Sequence, residues 1–223
     1  MSTSAKVTAR QRIENLLDDN SFVEIGAYVK ARNTDFNIQA KDTPSDGVIT
    51  GYGVINGGLV YVYSQDASVL GGSVGEMHAK KIASLYDMAM KTGSPVIGLI
   101  DSTGLRLQES VDGLNAFGQI YMKQSLASGV IPTITAIFGN CGGGLSIVAG
   151  LSDFTFMEVE NAQLFVNSPN AITENRKEIC DNASAKFQSE VAGNVDFVGT
   201  EAEVIEGIRN LVSVLPSNNE DEA

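Results

Sequence analysis

The chain has no tryptophan, one histidine, two cysteines and five prolines among 223 residues. A single histidine excludes metal sites built on histidine pairs, and two cysteines cannot form a structural zinc site, so no metal is expected. So few cysteines, with no extracellular signature, fit a reduced cytoplasm better than a disulfide-braced secreted domain. No apolar run reaches membrane-span length, and MSTSAKVTARQR lacks a signal-peptide hydrophobic segment, so direct membrane insertion is not expected. Positive charge is also scarce. Fifteen Lys/Arg against 27 Asp/Glu leave a formal charge of −12, which argues against nucleic acid and anionic membranes as main partners. There is no GxxxxGK[ST], and no GxGxxG follows a strand, so the usual nucleotide loops are absent.

What is there suffices for one large soluble domain. Hydrophobic residues make up 43% and charged residues 19%, a globular profile with too much oil and too little charge for disorder. The acidity is local: residues 151–223 hold 14 Asp/Glu against 4 Lys/Arg, while residues 1–150 are close to neutral and free to hold an anionic ligand. We expect a domain over residues 1–215. The terminal LPSNNEDEA reads as a linker-like acidic tail over 216–223, either a solvated terminus or a linker with nothing after it.

Periodicity predicts a short amphipathic helix over Thr8–Leu17, a strand over Phe22–Val29 and a polar loop over Asn33–Ser45. VITGYGVI and LVYVYSQD flank Asn56-Gly57-Gly58, a tight-hairpin signal because both turn residues tolerate positive φ. GEMHAKKIASLYDMAMKTG reads as a helix closed by Gly93. PVIGLID and IPTITAIFG are short branched runs, hence buried strands, each leading through a glycine turn into a helix. DFTFMEV and AQLFVN add two strands, and residues 174–215 read mainly as helix with a break near Ala192–Gly199. Alternating strands and helices imply an α/β fold.

Three glycine turns are candidate sites. In IPTITAIFGNCGGGLSI, Gly142, Gly143 and Gly144 open a helix, where bare N–H groups and the helix dipole suit an anion or a developing oxyanion. The alternative is a turn where strand and helix pack too closely for a β-carbon. LIDSTGLRLQES repeats the pattern, and two such turns could aim two donors at one point. Asp101 there is either a general base or a cap. LGGSVGEMHAKK places Lys80 and Lys81 one turn inside a helix, to receive phosphates or simply to face water. Other side-chain chemistry is sparse. Cys141 and His78 are a conceivable nucleophile pair, set against a small buried cysteine in a turn. Cys180 suggests only a free thiol.

These segments resemble one family in content and order. TARQRIENLLDDNSFVEIG, DGVITGYGVINGGLVYVYSQD, LGGSVGEMHAKKI, PVIGLIDSTGLRLQESVDGL and ASGVIPTITAIFGNCGGG are similar to the N-terminal domain of biotin-dependent acyl-CoA carboxyltransferases. The resemblance is strong over about residues 6–170 and weaker up to LPSNN. It implies an α/β crotonase-like (ClpP/crotonase) ββα spiral. An acyl-CoA substrate would lie across this domain, while biotin, carried on a partner protein, would enter from the C-terminal domain of a neighbouring subunit. By resemblance, Gly143 and Gly144 hold the thioester enolate oxygen, and Gly104 and Leu105 line the opposing turn. Ser102, Arg106, Gly71, Gly72, Ser73, His78 and Lys81 fall on the approach to the CoA pocket. Biotin's ureido nitrogen is the family's base for the α-proton, in keeping with the sparse side-chain chemistry.

Some residues depart from the family pattern. Its Ser-Gly-Gly-Ala-Arg is Ser102-Thr103-Gly104-Leu105-Arg106 here, and the tract after the glycine pair reads Leu145-Ser146-Ile147-Val148-Ala149. The resemblance reaches the family's first domain and not its second. The resemblance therefore implies a carboxyltransferase subunit that works in a hetero-oligomer, with a homologous C-terminal-domain subunit and a biotin carrier protein. The alternative, motivated by Thr103 and Leu105, is a non-catalytic crotonase-like subunit that scaffolds such a complex. A free-standing hydratase or isomerase ranks last, since Glu109 is the one nearby carboxylate.

Overall fold

The computed structural model describes residues 7–33, 42–168 and 181–221. Helix α1 (Ala9–Leu16) opens with Thr8 and Gln11 capping each other's backbone N–H. A short β1 (Val23–Ile25) follows; it is briefer than predicted because Gly26 turns the chain at φ 73°. Strands β2 (Val48–Ile55) and β3 (Gly58–Gln65) form the predicted hairpin, with Asn56 and Gly57 both at positive φ. Helix α2 (Glu76–Thr92), strand β4 (Val96–Ser102), helix α3 (Ser110–Ala127) and strand β5 (Thr133–Gly142) come next. They are followed by α4 (Gly144–Gly150), β6 (Phe154–Glu158) and β7 (Gln163–Phe165). The chain closes with α5 (Ala185–Glu190), β8 (Phe197–Gly199) and α6 (Glu201–Val214).

Among the described residues, all eight strands join one sheet in the order β1-β2-β3-β4-β5-β6-β8, with β7 branching onto β5. β1, β2 and β3 pair antiparallel; the remaining pairs are parallel. β5 is shared along its length. Residues Ile134–Ile137 pair with β6, and Asn140–Gly142 pair with β7. The β4–β5 register shifts between Ile100 and Ser102, an irregularity after which Ser102 pairs with Cys141 just before the glycine turns.

The sheet is covered on both faces, which is why β4 and β5 read as unbroken apolar runs. One core joins Tyr63, Ile82, Leu85, Ile100, Phe117 and Ile120 beneath α2 and α3. The other joins Ile13, Leu16, Val62, Leu99, Phe138 and Ile208 beneath α1 and α6.

Two expectations change. The predicted helical stretch over 174–215 lies partly outside the described residues; the rest holds α5, β8 and α6, and β8 is a strand only because it pairs with β6. The run into the glycines is strand as far as Gly142, because β7 supplies a pairing edge. Residues 216–221 lie against the body of the chain: Asn218 Nδ2 donates to the Gly93 carbonyl (3.0 Å), and the Asn219 N–H donates to the Val130 carbonyl (3.0 Å). Among the described residues, no helix is long and apolar enough to cross a membrane.

Candidate active site at two glycine turns

Strands β4 and β5 run side by side and in parallel, so the turns that follow them emerge at the same end of the sheet. The two turns touch: a β-carbon on Gly104 would stand 3.0 Å from the Gly142 carbonyl oxygen. Gly104 has φ 96° and Gly143 φ 61°, backbone states that side chains other than glycine's rarely adopt. Nothing lies within 4 Å of the point where Gly143 would carry a β-carbon, so this residue faces open space.

The hydrogen bonds decide which N–H groups are left for a ligand. The Gly143 N–H donates to the Phe165 carbonyl (3.0 Å), continuing the β5–β7 ladder by one residue. It is therefore not available as expected. Gly144, by contrast, is the first residue of α4, where N–H groups have no intrahelical acceptor. Across the gap, the Gly104 N–H donates to Ser102 Oγ (3.1 Å). The Val74 N–H donates to the Gly104 carbonyl, and the Arg106 N–H donates to the Val74 carbonyl. That bridge turns the Leu105 N–H away from Val74. Each turn thus offers one donor, Leu105 and Gly144. The peptide that carries the Gly144 N–H is fixed from behind, since its Gly143 carbonyl accepts from Ser146 Oγ (2.7 Å) and from the Ser146 N–H (3.1 Å); one peptide on, Tyr121 Oη donates to the Gly144 carbonyl (2.7 Å).

The residues expected on the CoA approach are mostly interior. His78 is fully buried. Its Nδ1–H donates to the Asp46 carbonyl (3.0 Å), and its Nε2 accepts from Gln65 Nε2 (3.1 Å). Burial and the Arg106 charge lower its pKa to about 3, so the ring is neutral. Arg106 is also buried. Its Nη1 donates to Asp46 Oδ1 (2.6 Å) and Glu109 Oε1 (2.9 Å), while Nη2 and Nε donate to the Ser73 carbonyl and Oγ. The Asp46 carboxyl is raised by burial, opposed by Arg106. Lys81 Nζ donates to the Ser45 (2.9 Å) and Val48 carbonyls, and burial lowers its pKa to about 8. These groups leave no surface for a ligand. Their work is to hold the Val74–Leu105 bridge, and thereby the turn. Sequence reasoning missed Asp46, which lies 60 positions from Arg106 at φ 50° in a polar stretch.

Gly71 and Gly72, at positive φ, pack against Thr103 and the Asp101 backbone; close approach explains both glycines. Asp101 pairs with Arg12 (3.4 Å). Burial raises the Cys141 thiol above its ordinary value, and the His78 ring is taken by Asp46 and Gln65, so no nucleophile pair forms. Glu109 is buried, taken by Arg106 and by the Glu76 N–H (2.6 Å). Cys180 lies outside the described residues. Among the described residues, no group of three His, Cys, Asp or Glu could hold a metal ion.

Comparison with known proteins agrees with this architecture. The chain is 44% identical to the methylmalonyl-CoA decarboxylase subunit alpha of Propionigenium modestum, over 99% of this chain and 43% of that protein. It therefore spans less than half the length of such curated relatives. Its structure superposes with a TM-score of 0.91 on transcarboxylase 12S solved with methylmalonyl-coenzyme A and methylmalonic acid bound, at 38% identity, covering 97% of this chain and 43% of that one. A Pseudomonas malonate decarboxylase hetero-tetramer in complex with malonate matches at TM-score 0.80 and 25% identity, over 95% of this chain and 82% of that one. The ββα arrangement is the crotonase-like fold of these carboxyltransferases. Residues 2–223 match the carboxyl transferase domain, and the chain belongs to that family.

Proposed function

We propose that this chain is the acyl-CoA half of a biotin-dependent carboxyltransferase, working on a short acyl-CoA beside a second lobe. The observation that carries the reading is the meeting of two glycine turns, each with one backbone donor to spare. When the α-carbon of a thioester gives up or takes on a carboxyl group, negative charge builds on the thioester oxygen. The Leu105 and Gly144 N–H groups suit that oxygen, with the α4 dipole behind Gly144. Gly104 keeps one turn close to the other, and Gly143 leaves the entry open. The buried Arg106 network fixes the Leu105 peptide in advance, so little reorganisation accompanies the charge shift.

Biotin on a carrier protein would be the other party to the exchange, giving the carboxyl group to the acyl-CoA or taking it. The open space at Gly143 is compatible with a bulky second reactant, and no residue of this chain is assigned to hold it. The partners are a homologous C-terminal-domain subunit and a biotin carrier protein. The malonate decarboxylase relative, a chain of similar length within a hetero-tetramer, supports that organisation. The domain occupies residues 1–215, with 216–221 folded back on it.

The test is co-purification with a homologous subunit and a biotinyl protein, followed by a carboxyl-transfer assay with acetyl-, propionyl- and butyryl-CoA. No transfer with any of them would sink the catalytic reading. Under the scaffold alternative, replacing Gly143 by Trp leaves complex function unchanged; under the catalytic reading it abolishes turnover while assembly survives.

A further inference from the structure

The peptide between Gly143 and Gly144 points the Gly144 N–H one way and the Gly143 carbonyl the other. Its two neighbours are pinned. On one side the Gly143 N–H donates to the Phe165 carbonyl (3.0 Å), and on the other the Gly144 carbonyl accepts from Tyr121 Oη (2.7 Å). A peptide between two fixed neighbours can turn over alone, because opposite changes in ψ before it and φ after it leave the rest of the chain in place.

Most residue pairs forbid that turn, and a glycine pair does not. Gly143 has φ 61° and ψ −126°. Half a rotation takes that ψ to about 54°, which with the same φ is the left-handed helical region. Gly144, the first residue of α4, would move to positive φ, a region open to it for want of a β-carbon. Packing holds the flanks rather than the middle. A β-carbon on Gly142 would meet the Phe165 ring and one on Gly144 would meet Tyr121 and Phe117, whereas nothing lies within 4 Å of that point on Gly143. The two orientations differ in what they offer a ligand: an N–H in the observed one, a carbonyl oxygen in the other. The second would repel a developing oxyanion.

The observed orientation is held through Ser146. Its Oγ donates to the Gly143 carbonyl (2.7 Å), and its N–H donates to the same oxygen (3.1 Å). Any residue except proline supplies the N–H; the hydroxyl needs serine or threonine. A carbonyl that accepts two bonds also polarises the N–H at the far end of its own peptide. Ser146 lies in the tract that departs from the family pattern.

We infer that Ser146 is the positioning residue of this turn: its hydroxyl latches the Gly143–Gly144 peptide with the Gly144 N–H toward the site. For turnover the inference rests on the reading proposed above; for the orientation of the peptide it does not.

Glycine labelled with ¹³C at the carbonyl and with ¹⁵N isolates this peptide in the full 223-residue chain. An NMR correlation of each N–H with the preceding carbonyl then shows only Gly-Gly pairs, at 57–58, 71–72, 142–143 and 143–144. Gly144→Ala identifies the last by its loss. The expected result is one sharp 143–144 signal in wild type and in Ser146→Thr, whose hydroxyl reaches the same carbonyl. In Ser146→Ala that signal should double or broaden, with those at 57–58 and 71–72 unchanged. A residue that merely steadied α4 would lower the unfolding midpoint without doubling it. In the assembled transferase, Ser146→Ala should lower the rate of carboxyl transfer about three- to ten-fold, the worth of one hydrogen bond, with CoA affinity unchanged and Ser146→Thr close to wild type. A single sharp 143–144 signal in Ser146→Ala overturns the inference, whatever the rate does. A doubled signal with an unchanged rate upholds Ser146 as the latch and removes Gly144 from the proposed chemistry instead.

Discussion

Leu105 Cδ1 stands 2.9 Å from the point where Gly113 would carry a β-carbon. The large side chain at the glycine turn is therefore directed at α3, into room that exists only because residue 113 has no side chain. Thr103 is accommodated in the same way by Gly71, whose β-carbon would lie 3.0 Å from the threonine Oγ1. Both departures from the family's small residues are absorbed behind the turn, and the Leu105 N–H keeps its direction.

Gly113→Ala tests that fit. In an open helix the change would stabilise by about 1 kcal/mol. Here the new methyl meets Leu105, and the Arg106 carbonyl at 3.3 Å, so a net loss of about 1–3 kcal/mol is expected. Adding Leu105→Ala should recover part of it, giving a coupling of about 1 kcal/mol in a double-mutant cycle. Urea unfolding reads all four proteins. A Gly113→Ala protein as stable as wild type would show that the contact yields freely.

His78 predicts an acid sensitivity of known sign. Its pKa falls from 6.5 unfolded to about 3 folded, so between those values the unfolded chain binds the extra proton. Stability is full above about pH 6.5 and declines as pH falls, by up to about 1.4 kcal/mol per unit. It is the chain's one histidine, so from pH 7 to 5.5 no other side chain's ordinary pKa lies in range. Arg106 and Lys81 reinforce the depression. Asp46, raised by burial, acts in the opposite sense nearer the carboxylate range. Guanidinium midpoints that fall from pH 7 to 5.5 in wild type, and less in His78→Gln, are the expected outcome.

Much of this was legible because it is local. Asn56-Gly57, the apolar spacing of α1 and the branched runs of β4 and β5 announce their structures within a few residues. The two glycine turns were legible as well, since each follows a buried strand. What sequence could not reveal depends on distant pairing. β7 pairs with the end of β5 and takes the Gly143 N–H, which no reading of the glycine run contains. Asp46 meets Arg106 only because the turn before β2 and the turn after β4 converge. β8 has three residues and becomes a strand by lying against β6. His78 read as ligand-facing from the family resemblance, and Lys81 also from its place near a helix start, and the fold turns both inward.

The Arg106 cluster predicts an asymmetric result. Arg106→Met leaves Asp46 and Glu109 buried without their cation, a loss of about 3–5 kcal/mol. Arg106→Lys should rescue little of it. Three guanidinium nitrogens serve Asp46, Glu109 and both oxygens of Ser73, and an ammonium cannot span that set. Thermal unfolding of the two variants compares them directly; a lysine variant close to wild type would mean that charge alone matters.

Gly144→Ala separates donor placement from binding. A β-carbon there would lie 2.7 Å from Tyr121 Oη and 3.0 Å from the Phe117 ring, so the peptide must shift, and its N–H with it. Gly150→Ala is the matched control in the same helix, since nothing lies within 4 Å of that position. In the assembled transferase, Gly144→Ala should lower the rate of carboxyl transfer by about 10²–10³, the usual cost of a lost oxyanion donor. The affinity for the CoA moiety, measured by titration with CoA itself, should change little, because the lost contact strengthens only as charge develops. Tyr121→Phe should move the rate in the same direction by a smaller factor, since it frees the Gly144 carbonyl without adding bulk. Equal losses in rate and CoA affinity for Gly144→Ala would assign the turn to binding instead.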